Sequence, residues 1–289
     1  MADETGLSRI GVVGCGLMGS GIAEVAARAG LDVVVVESDP AAVRAGRDRV
    51  EASLAQAVRR GKLSEEASAE TFARFSFGRD ADALADRQLV VEAVPEIEAL
   101  KLDTFAMIDR VVTDPGGVLA SNTSSIPIMK LAMATRRPEQ VIGIHFFNPV
   151  PVLPLVELVP SLLTSPSVVA LAAAFASEQL GKHVIESPDR AGFVVNALLI
   201  PYLLSAIRML ESGFATAEHI DDGMVQGCAH PMGPLALADL IGLDTVIAVA
   251  MSMYEEFKEP LYAPPPMLSR MVDAGLLGRK SGRGFHQYA

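Results

Sequence analysis

The sequence predicts an α/β protein in which a doubly wound parallel sheet is followed by an all-α C-terminal domain. Up to about residue 187, short runs rich in valine and isoleucine alternate with segments of helical composition, as in sheets built from β-α-β units. From residue 193 onward, apolar helical segments are separated only by glycine and proline. We therefore predict two domains, 1–187 and 188–289.

The individual elements follow from local signals. Apolar runs predict strands over 10–13, 33–36, 89–96, 117–122, 141–146 and 183–185. Asp39 followed by Pro40 predicts the start of a helix that ends near Gly61, and Ser64 predicts the start of another, so that a helical excursion interrupts the sheet. The C-terminal helices are predicted over 193–212, 217–228, 234–258 and 266–275.

Composition and charge exclude several classes of function. Half of the 289 residues are hydrophobic and a fifth are charged, which is the composition of a folded globular protein. The formal net charge of −11 argues against a nucleic acid partner, because phosphate backbones are repelled. The mean hydropathy is +0.34, but glycine, proline or charge interrupts every candidate span, so we expect no membrane partner.

The cysteines and the N-terminus indicate the compartment. Cys15 and Cys228 are the two cysteines of the sequence, and neither has histidine or cysteine at the spacing of a zinc site, so we expect no metal. The N-terminus shows no basic region followed by an apolar stretch and a cleavage site. We therefore expect a cytoplasmic protein.

A glycine-rich turn joins the first predicted strand to the first predicted helix. The sequence GCGLMG fills positions 14–19, directly after the strand. At such a junction glycine allows a tight turn and the close approach of a pyrophosphate to the helix start. We predict a Rossmann-type nucleotide site that includes Gly14, Gly16, Leu17, Met18 and Gly19. The alternative is a turn that only packs the helix against the sheet.

An acidic residue at the end of the second predicted strand indicates the cofactor. Glu37 follows the valine run 33–36, where a carboxylate can accept hydrogen bonds from an adenosine ribose. This position favours NAD over NADP, although Arg44 and Arg47 leave some use of NADP open. If the turn binds no nucleotide, Glu37 is a solvated strand end.

The helix that follows carries a basic patch in an acidic protein. Between residues 44 and 62, six basic residues stand against two acidic ones, which gives a local charge of +4. Such a patch can hold phosphate groups, whereas a run of charges on a helix is more often a solvated face. The spacing alone leaves both interpretations open.

Polar residues at the ends of the later strands supply the acid–base candidates. Ligands of parallel sheets bind at the carboxyl ends of strands, so we expect Glu96, 121–125 and 145–148 to converge near the dinucleotide. His145 ends one such strand, and Glu157 lies within an apolar run, where a carboxylate needs a partner. A histidine–carboxylate pair fixes the tautomer that a general base requires. A structural histidine and an unrelated glutamate at a strand edge are the alternative.

Four motifs, taken together, are similar to those of a known family. They are the glycine turn at 14–19, SNTSS at 121–125, HFFNP at 145–149 with Glu157, and AHPMGP at 229–234. In this order, and over nearly the whole chain, they resemble the L-3-hydroxyacyl-CoA dehydrogenase family, and within it the bacterial-type 3-hydroxybutyryl-CoA dehydrogenases. The resemblance implies an oxidoreductase that exchanges hydride between NAD and a short-chain (S)-3-hydroxyacyl-CoA.

The resemblance also implies roles for individual residues. The catalytic pair falls on His145 and Glu157, and Ser124 and Asn196 are implied to contact the 3-oxygen of the substrate. Contacts to NAD beyond the glycine turn are implied for Glu37, Glu96, Lys101, Ser124, Asn148 and Lys280. Contacts to the acyl-CoA substrate are implied for Ser53, Arg60, Ser124 and Asn196.

Two other functions and an oligomeric state complete the expectations. One alternative is a sugar-acid dehydrogenase of the L-gulonate 3-dehydrogenase type, which has a similar nucleotide-binding half. The other is a non-catalytic NAD-binding protein, since a fold alone does not fix a function. The four predicted C-terminal helices have more apolar surface than one small bundle can bury, and the resemblance implies a homodimer formed through them.

Overall fold

The computed structural model describes residues 6–288, which form two compact units. The first unit ends at Asp189 and the second begins at Arg190, two residues beyond the predicted boundary at 187. Each unit has its own cluster of buried apolar side chains. Each unit therefore has the core that is expected of a domain.

Within the described residues, the first unit is built on an eight-stranded sheet in the order β3-β2-β1-β4-β5-β6-β7-β8. The strands are β1 Arg9–Val13, β2 Asp32–Val36, β3 Phe75–Gly78, β4 Leu89–Glu92, β5 Val118–Ser121, β6 Val141–Phe146, β7 Leu155–Pro160 and β8 His183–Glu186. Neighbouring strands are parallel, except that β7 runs antiparallel to β6. The predicted Rossmann-type fold class is confirmed, with the last two strands, β7 and β8, running opposite to the other six.

The central strands are buried along nearly their whole length. In β1, β2, β4, β5 and β6 the valine, leucine and isoleucine side chains are buried, as expected for parallel strands covered on both faces. Neither β3 nor β7 is among the predicted strands; β3 has four residues and no fully buried side chain. Phe75 and Phe77 of β3 stack on each other and contact Phe72.

The first unit has six α-helices among the described residues, and two of them start where a capping residue predicts. The six are α1 Leu17–Arg28, α2 Pro40–Arg59, α3 Glu65–Phe72, α4 Glu98–Val111, α5 Ile128–Ala132 and α6 Pro166–Ala174. Asp39 caps α2 by accepting hydrogen bonds from the N–H groups of Ala41 and Ala42, and Ser64 caps α3. The two helices α2 and α3 lie between β2 and β3, which confirms the predicted helical excursion.

The second unit is helical. Its helices are α7 Val195–Glu211, α8 Ala217–Cys228, α9 Pro234–Ile241, α10 Leu243–Phe257 and α11 Pro266–Asp273. The prediction of one helix over 234–258 is wrong, because Gly242, at a φ of +100°, separates α9 from α10 with a bend of 96°. Among the described residues, no single helix is long and apolar enough to cross a membrane, although α9 and α10 together pass that test.

The reversal of β7 sets the position of Glu157. In the register of β6 and β7, His145 is paired with Glu157 and Phe146 with Val156. Residues paired in an antiparallel ladder project from the same face of the sheet with their Cβ atoms close together. The imidazole and the carboxylate are therefore brought side by side by the hairpin itself.

Candidate active site

His145 lies between a carboxylate and a hydroxyl at the carboxyl end of β6. Its Nδ1 is 2.7 Å from Oε2 of Glu157, and its Nε2 is 3.0 Å from Oγ of Ser124. Both members of the pair are buried, and Glu157 completely so. Because an ionised carboxylate only accepts hydrogen bonds, the neutral ring carries its proton on Nδ1. Nε2 is then an acceptor for the Ser124 hydroxyl, and the imidazole has the orientation of a general base.

The loop that carries Ser124 is wrapped around the carboxylate of Glu96. Its Oε1 accepts hydrogen bonds from the N–H groups of Ser124 and Ser125, at 3.0 and 3.1 Å. The hydroxyls of Thr123 and Ser125 donate to the same oxygen, at 2.5 and 2.8 Å. Burial raises the pKa of Glu96, but the Lys101 ammonium and the hydroxyl hydrogen bonds outweigh it, so the pKa lies below its usual value. Glu96 is therefore a carboxylate that shapes this loop at neutral pH.

Lys101 is buried behind the same loop. Its ammonium lies 2.6 Å from Oε1 of Glu92, 3.2 Å from Oε2 of Glu96 and 3.2 Å from the carbonyl oxygen of Val94. A lysine has three N–H donors, so there is one oxygen for each of them. Glu92 also accepts a hydrogen bond from the hydroxyl of Ser121 at 2.6 Å. A direct contact of Lys101 with NAD stays a prediction.

The glycine turn has the geometry of a nucleotide site. Gly14 has a φ of +89°, and a Cβ built on Gly19 would lie 1.9 Å from the carbonyl oxygen of Gly14. Gly16 is the N-cap of α1, where it has open space at its Cβ position and offers the helix no side-chain acceptor. Leu17 is exposed and Met18 half-buried at the start of α1. A helix start that is open and lacks a side-chain cap fits the pyrophosphate of a dinucleotide.

Glu37, directly after β2, forms a hydrogen bond with the backbone of this turn. Its Oε1 accepts a hydrogen bond from the N–H of Cys15 at 2.5 Å, and Arg49 of α2 donates to the Cys15 carbonyl at 2.6 Å. Burial and the charge of Glu37 raise the pKa of the Cys15 thiol to about 12, so this cysteine is not a reactive thiolate. Glu37 is only half-buried, which leaves its carboxylate accessible at the strand end where an adenosine ribose binds. The residues of the turn and of the strand end therefore fit NAD.

The remaining residues assigned from the resemblance lie elsewhere. Asn148 is exposed in the connection between β6 and β7. Ser53 and Arg60 lie seven residues apart along α2 and its C-cap, and therefore on one side of it. Asn196, half-buried in the first turn of α7, and Lys280, whose ammonium contacts a carboxylate of α10 at 2.5 Å, belong to the second unit. The structure thus brings one part of the predicted set together within the first unit.

One buried residue of this site was not singled out from the sequence. Glu92 ends the apolar strand β4 and is completely buried, and yet it holds both Lys101 and Ser121. The signal that could have found it is the one that pointed to Glu157, namely a carboxylate within an apolar run.

A glycine turn and a histidine–glutamate pair at the carboxyl edge of one sheet are the features of nicotinamide-dependent dehydrogenases as a class. Residues 9–190 match the family described as 3-hydroxyacyl-CoA dehydrogenase, NAD binding domain. Residues 192–288 match the 3-hydroxyacyl-CoA dehydrogenase C-terminal domain. The chain therefore belongs to the 3-hydroxyacyl-CoA dehydrogenase family, and its first unit is an NAD-binding domain.

Named relatives agree over the whole length. A 3-hydroxybutyryl-CoA dehydrogenase of Mycobacterium tuberculosis is 60% identical over 282 residues, which cover 98% of this chain and 99% of the relative. The crystal structure of M. tuberculosis FadB2 superposes with a TM-score of 0.97 at 60% identity, covering 98% of this chain and 100% of that chain. The (S)-3-hydroxybutyryl-CoA dehydrogenase PaaH1 of Ralstonia eutropha has a TM-score of 0.91 at 45% identity, with 98% and 99% covered.

Replacing two glycines of the turn by alanine, one at a time, should distinguish an effect on stability from an effect on cofactor affinity. Gly19→Ala places a methyl group against the backbone of Gly14, so we expect a loss of about 1–3 kcal/mol in the free energy of unfolding. Gly16→Ala has room for its methyl group, so its stability should equal that of the wild type while its affinity for NADH falls, because the methyl group lies where the pyrophosphate approaches. Thermal unfolding by circular dichroism and titration by NADH fluorescence measure the two effects. Wild-type NADH affinity in Gly16→Ala would contradict the assignment of the turn.

Proposed function

We propose that this chain interconverts (S)-3-hydroxyacyl-CoA and 3-oxoacyl-CoA with NAD, and that its substrates are short-chain thioesters such as 3-hydroxybutanoyl-CoA. The observation that carries the proposal is the oriented imidazole of His145, with Nδ1 on Glu157 and Nε2 on the hydroxyl of Ser124. The family of the chain and the names of its relatives support the substrate class. No observation favours a sugar acid over the thioester.

The chemistry of the reaction follows from the two ring nitrogens. When bound, NAD supplies the hydride acceptor and NADH the hydride donor. In the oxidation, Nε2 of His145 takes the proton of the 3-hydroxyl while the hydride leaves C3. The imidazolium so formed keeps its Nδ1 proton on Glu157, whose negative charge balances it in a buried site. In the reduction, the same imidazolium returns the proton from Nε2 to the 3-oxygen.

Ser124 is the residue that holds the 3-oxygen. Its hydroxyl lies 3.0 Å from Nε2 of His145, so an oxygen that approaches Nε2 also comes within reach of Ser124, whose O–H then turns from Nε2 to the 3-oxygen. The proposal includes Asn196 as a second donor to this oxygen, on the strength of the family resemblance. These donors stabilise the charge that develops on oxygen during hydride transfer.

Arg60 is proposed to bind a phosphate of the CoA moiety. It is exposed at the C-cap of α2, on the same side as Ser53. Arg59, its neighbour, lies instead on the side with Glu51 and Ala55, where it lines a cavity of about 410 Å³ between α2 and α3. A guanidinium in an acidic protein is a local site for a phosphate.

The first experiment is the oxidation of NADH by acetoacetyl-CoA, followed by absorbance at 340 nm. We expect rapid oxidation of NADH and little of NADPH. His145→Ala should lower kcat by a factor of about 100 to 10,000, because the general acid is lost. His183→Ala, which removes an exposed histidine of β8, is the matched control and should keep wild-type turnover. No oxidation of NADH by folded wild-type protein, or near-normal turnover in His145→Ala, would overturn the proposal.

Reversing one charge should separate substrate binding from chemistry. Arg60→Glu should raise the KM for acetoacetyl-CoA by about tenfold, since a charge-assisted hydrogen bond to phosphate is lost. The KM for NADH should not change. Arg59→Glu changes the net charge by the same amount on another side of α2 and is the control. Equal increases in this KM in the two variants would show that Arg60 contributes only to the overall positive charge of α2 and does not bind a phosphate.

We also propose that the chain forms a homodimer through the second unit. Leu198 and Met209 form an exposed apolar strip on α7 opposite its buried face, and Phe214, just beyond this helix, is 79% exposed. A helix that is apolar on more than one side needs a second surface to cover it. An identical subunit supplies such a surface through a two-fold axis.

A charge in this strip should dissociate the dimer. Leu198 is 76% exposed, so Leu198→Asp should leave the monomer folded and shift the sedimentation coefficient from that of a dimer to that of a monomer. Leu162→Asp, at a leucine of the first unit that is 93% exposed, should remain a dimer. A wild-type protein that sediments as a monomer would contradict this proposal.

A further inference from the structure

Glu92 is a buried carboxylate that lies behind the candidate active site. It is the last residue of β4 and has no solvent-accessible surface, so it does not reach a ligand itself. Its Oε1 accepts hydrogen bonds from the Lys101 ammonium at 2.6 Å and from the N–H of Val94 at 2.7 Å. Its Oε2 accepts from the Ser121 hydroxyl at 2.6 Å. Both carboxylate oxygens are thus used, and both lead toward the loop that carries Ser124.

The first connection from Glu92 to that loop runs through Ser121. The Ser121 hydroxyl donates its proton to Glu92, which orients the oxygen as an acceptor for the N–H of Thr123 at 3.1 Å. The Thr123 hydroxyl then accepts from the N–H of Ile126 at 2.9 Å. The backbone on both sides of Ser124 is therefore fixed by hydrogen bonds that begin at Glu92.

The second connection runs through Lys101. Its ammonium joins Glu92 to Oε2 of Glu96, and Oε1 of Glu96 accepts the N–H groups of Ser124 and Ser125. With 1% of Lys101 exposed and an oxygen within reach of each of its N–H groups, its role in this structure is exerted through Glu96. One ammonium is shared by two carboxylates, so removing the charge of Glu92 changes how Lys101 holds Glu96.

The sheet itself does not require a charge at this position. On β1, the residue paired with Glu92 is Val13, and the rest of β4 is apolar. Buried ion pairs add little stability compared with apolar residues of similar volume, because desolvation offsets their attraction. The role of this carboxylate therefore lies in its hydrogen bonds toward the Ser124 loop and not in the packing of the sheet.

We propose that Glu92 is a positioning residue which, through Ser121 and Lys101, holds the loop 121–126 so that the Ser124 hydroxyl stays beside Nε2 of His145. Its kinetic consequence rests on the proposed function, whereas its structural consequence concerns the protein without any ligand. The substitution Glu92→Gln keeps the size of the side chain and removes its charge. It therefore tests the hydrogen-bond pattern rather than the packing.

The structural consequence is measured by hydrogen exchange of the protein alone. In Glu92→Gln, the amides of Thr123, Ser124 and Ser125 should exchange about tenfold faster or more, because their acceptors are no longer held by charge-assisted hydrogen bonds. The matched control is Asp109→Asn, which also removes a buried carboxylate, here one that accepts from the N–H of Arg136. It should accelerate exchange at Arg136 and leave the loop unchanged. Unchanged loop amides in a folded Glu92→Gln protein would overturn the proposal.

The kinetic consequence is measured by a double-mutant cycle with Ser124→Ala. Glu92→Gln should lower kcat by about tenfold in the wild-type background and by less than about threefold in the Ser124→Ala background, because both changes remove the same contact. Equal losses in the two backgrounds would show that Glu92 acts on stability and not through Ser124. Asp109→Asn should leave kcat unchanged in both backgrounds.

A second variant and a measurement that does not depend on activity also test the role of Glu92. If Glu92→Gln does not fold, Ser121→Ala removes one hydrogen bond of the same connection without changing charge, and it should accelerate exchange at Thr123 above all. A failure of the wild type to reduce acetoacetyl-CoA would contradict the proposed function, while the exchange measurement would still decide the role of Glu92. Wild-type exchange rates in both variants would overturn that role.

Discussion

The pairing of β6 with the reversed strand β7 is the constraint on which the candidate active site depends. It places Glu157 opposite His145 in a ladder where both side chains are buried. A slip of one residue would turn the carboxylate to the other face of the sheet, leaving it without its partner at a cost of several kcal/mol. The carboxylate in turn fixes the proton on Nδ1 and directs Nε2 to Ser124. The register of β6 and β7 therefore determines both the tautomer of His145 and its contact with the Ser124 hydroxyl.

The chemistry of this sheet is concentrated at its carboxyl edge, where buried charges replace apolar side chains. The interiors of β1 and β2 are almost wholly valine and isoleucine, whereas β4 ends in Glu92 and the loop after it supplies Glu96. Both carboxylates contact Lys101, so two negative charges share one positive charge here. Such groups are expensive to bury and contribute little to stability. Their hydrogen bonds instead hold the Ser124 loop, in which the N–H groups of Ser124 and Ser125 donate to Glu96.

Local patterns predicted most of the first unit, and long-range pairing accounts for what they missed. The glycine turn and the strand ends follow from short sequence signals, and the buried Glu157 pointed to His145 through its need for a partner. The direction of β7 depends on a hairpin rather than on periodicity, and the short strand β3 presents too few buried residues to stand out. The break at Gly242 was not predicted because an isolated glycine is tolerated within a helical pattern. The homodimer and the cytoplasmic location stay predictions.

Glu37 contributes both to the structure of the glycine turn and to the cofactor site. One oxygen of that carboxylate accepts the N–H of Cys15, so any replacement of Glu37 removes an acceptor from the turn in addition to a partner for the ribose. Arg47, which from the sequence could have served a 2′-phosphate, is bound to Glu51 at 3.1 Å and lies over the ring of Phe72. A phosphate near Glu37 would therefore meet a carboxylate and a guanidinium that already has its own partners. The carboxylate at the strand end thus favours NAD, in agreement with the NAD binding domain that the first unit matches.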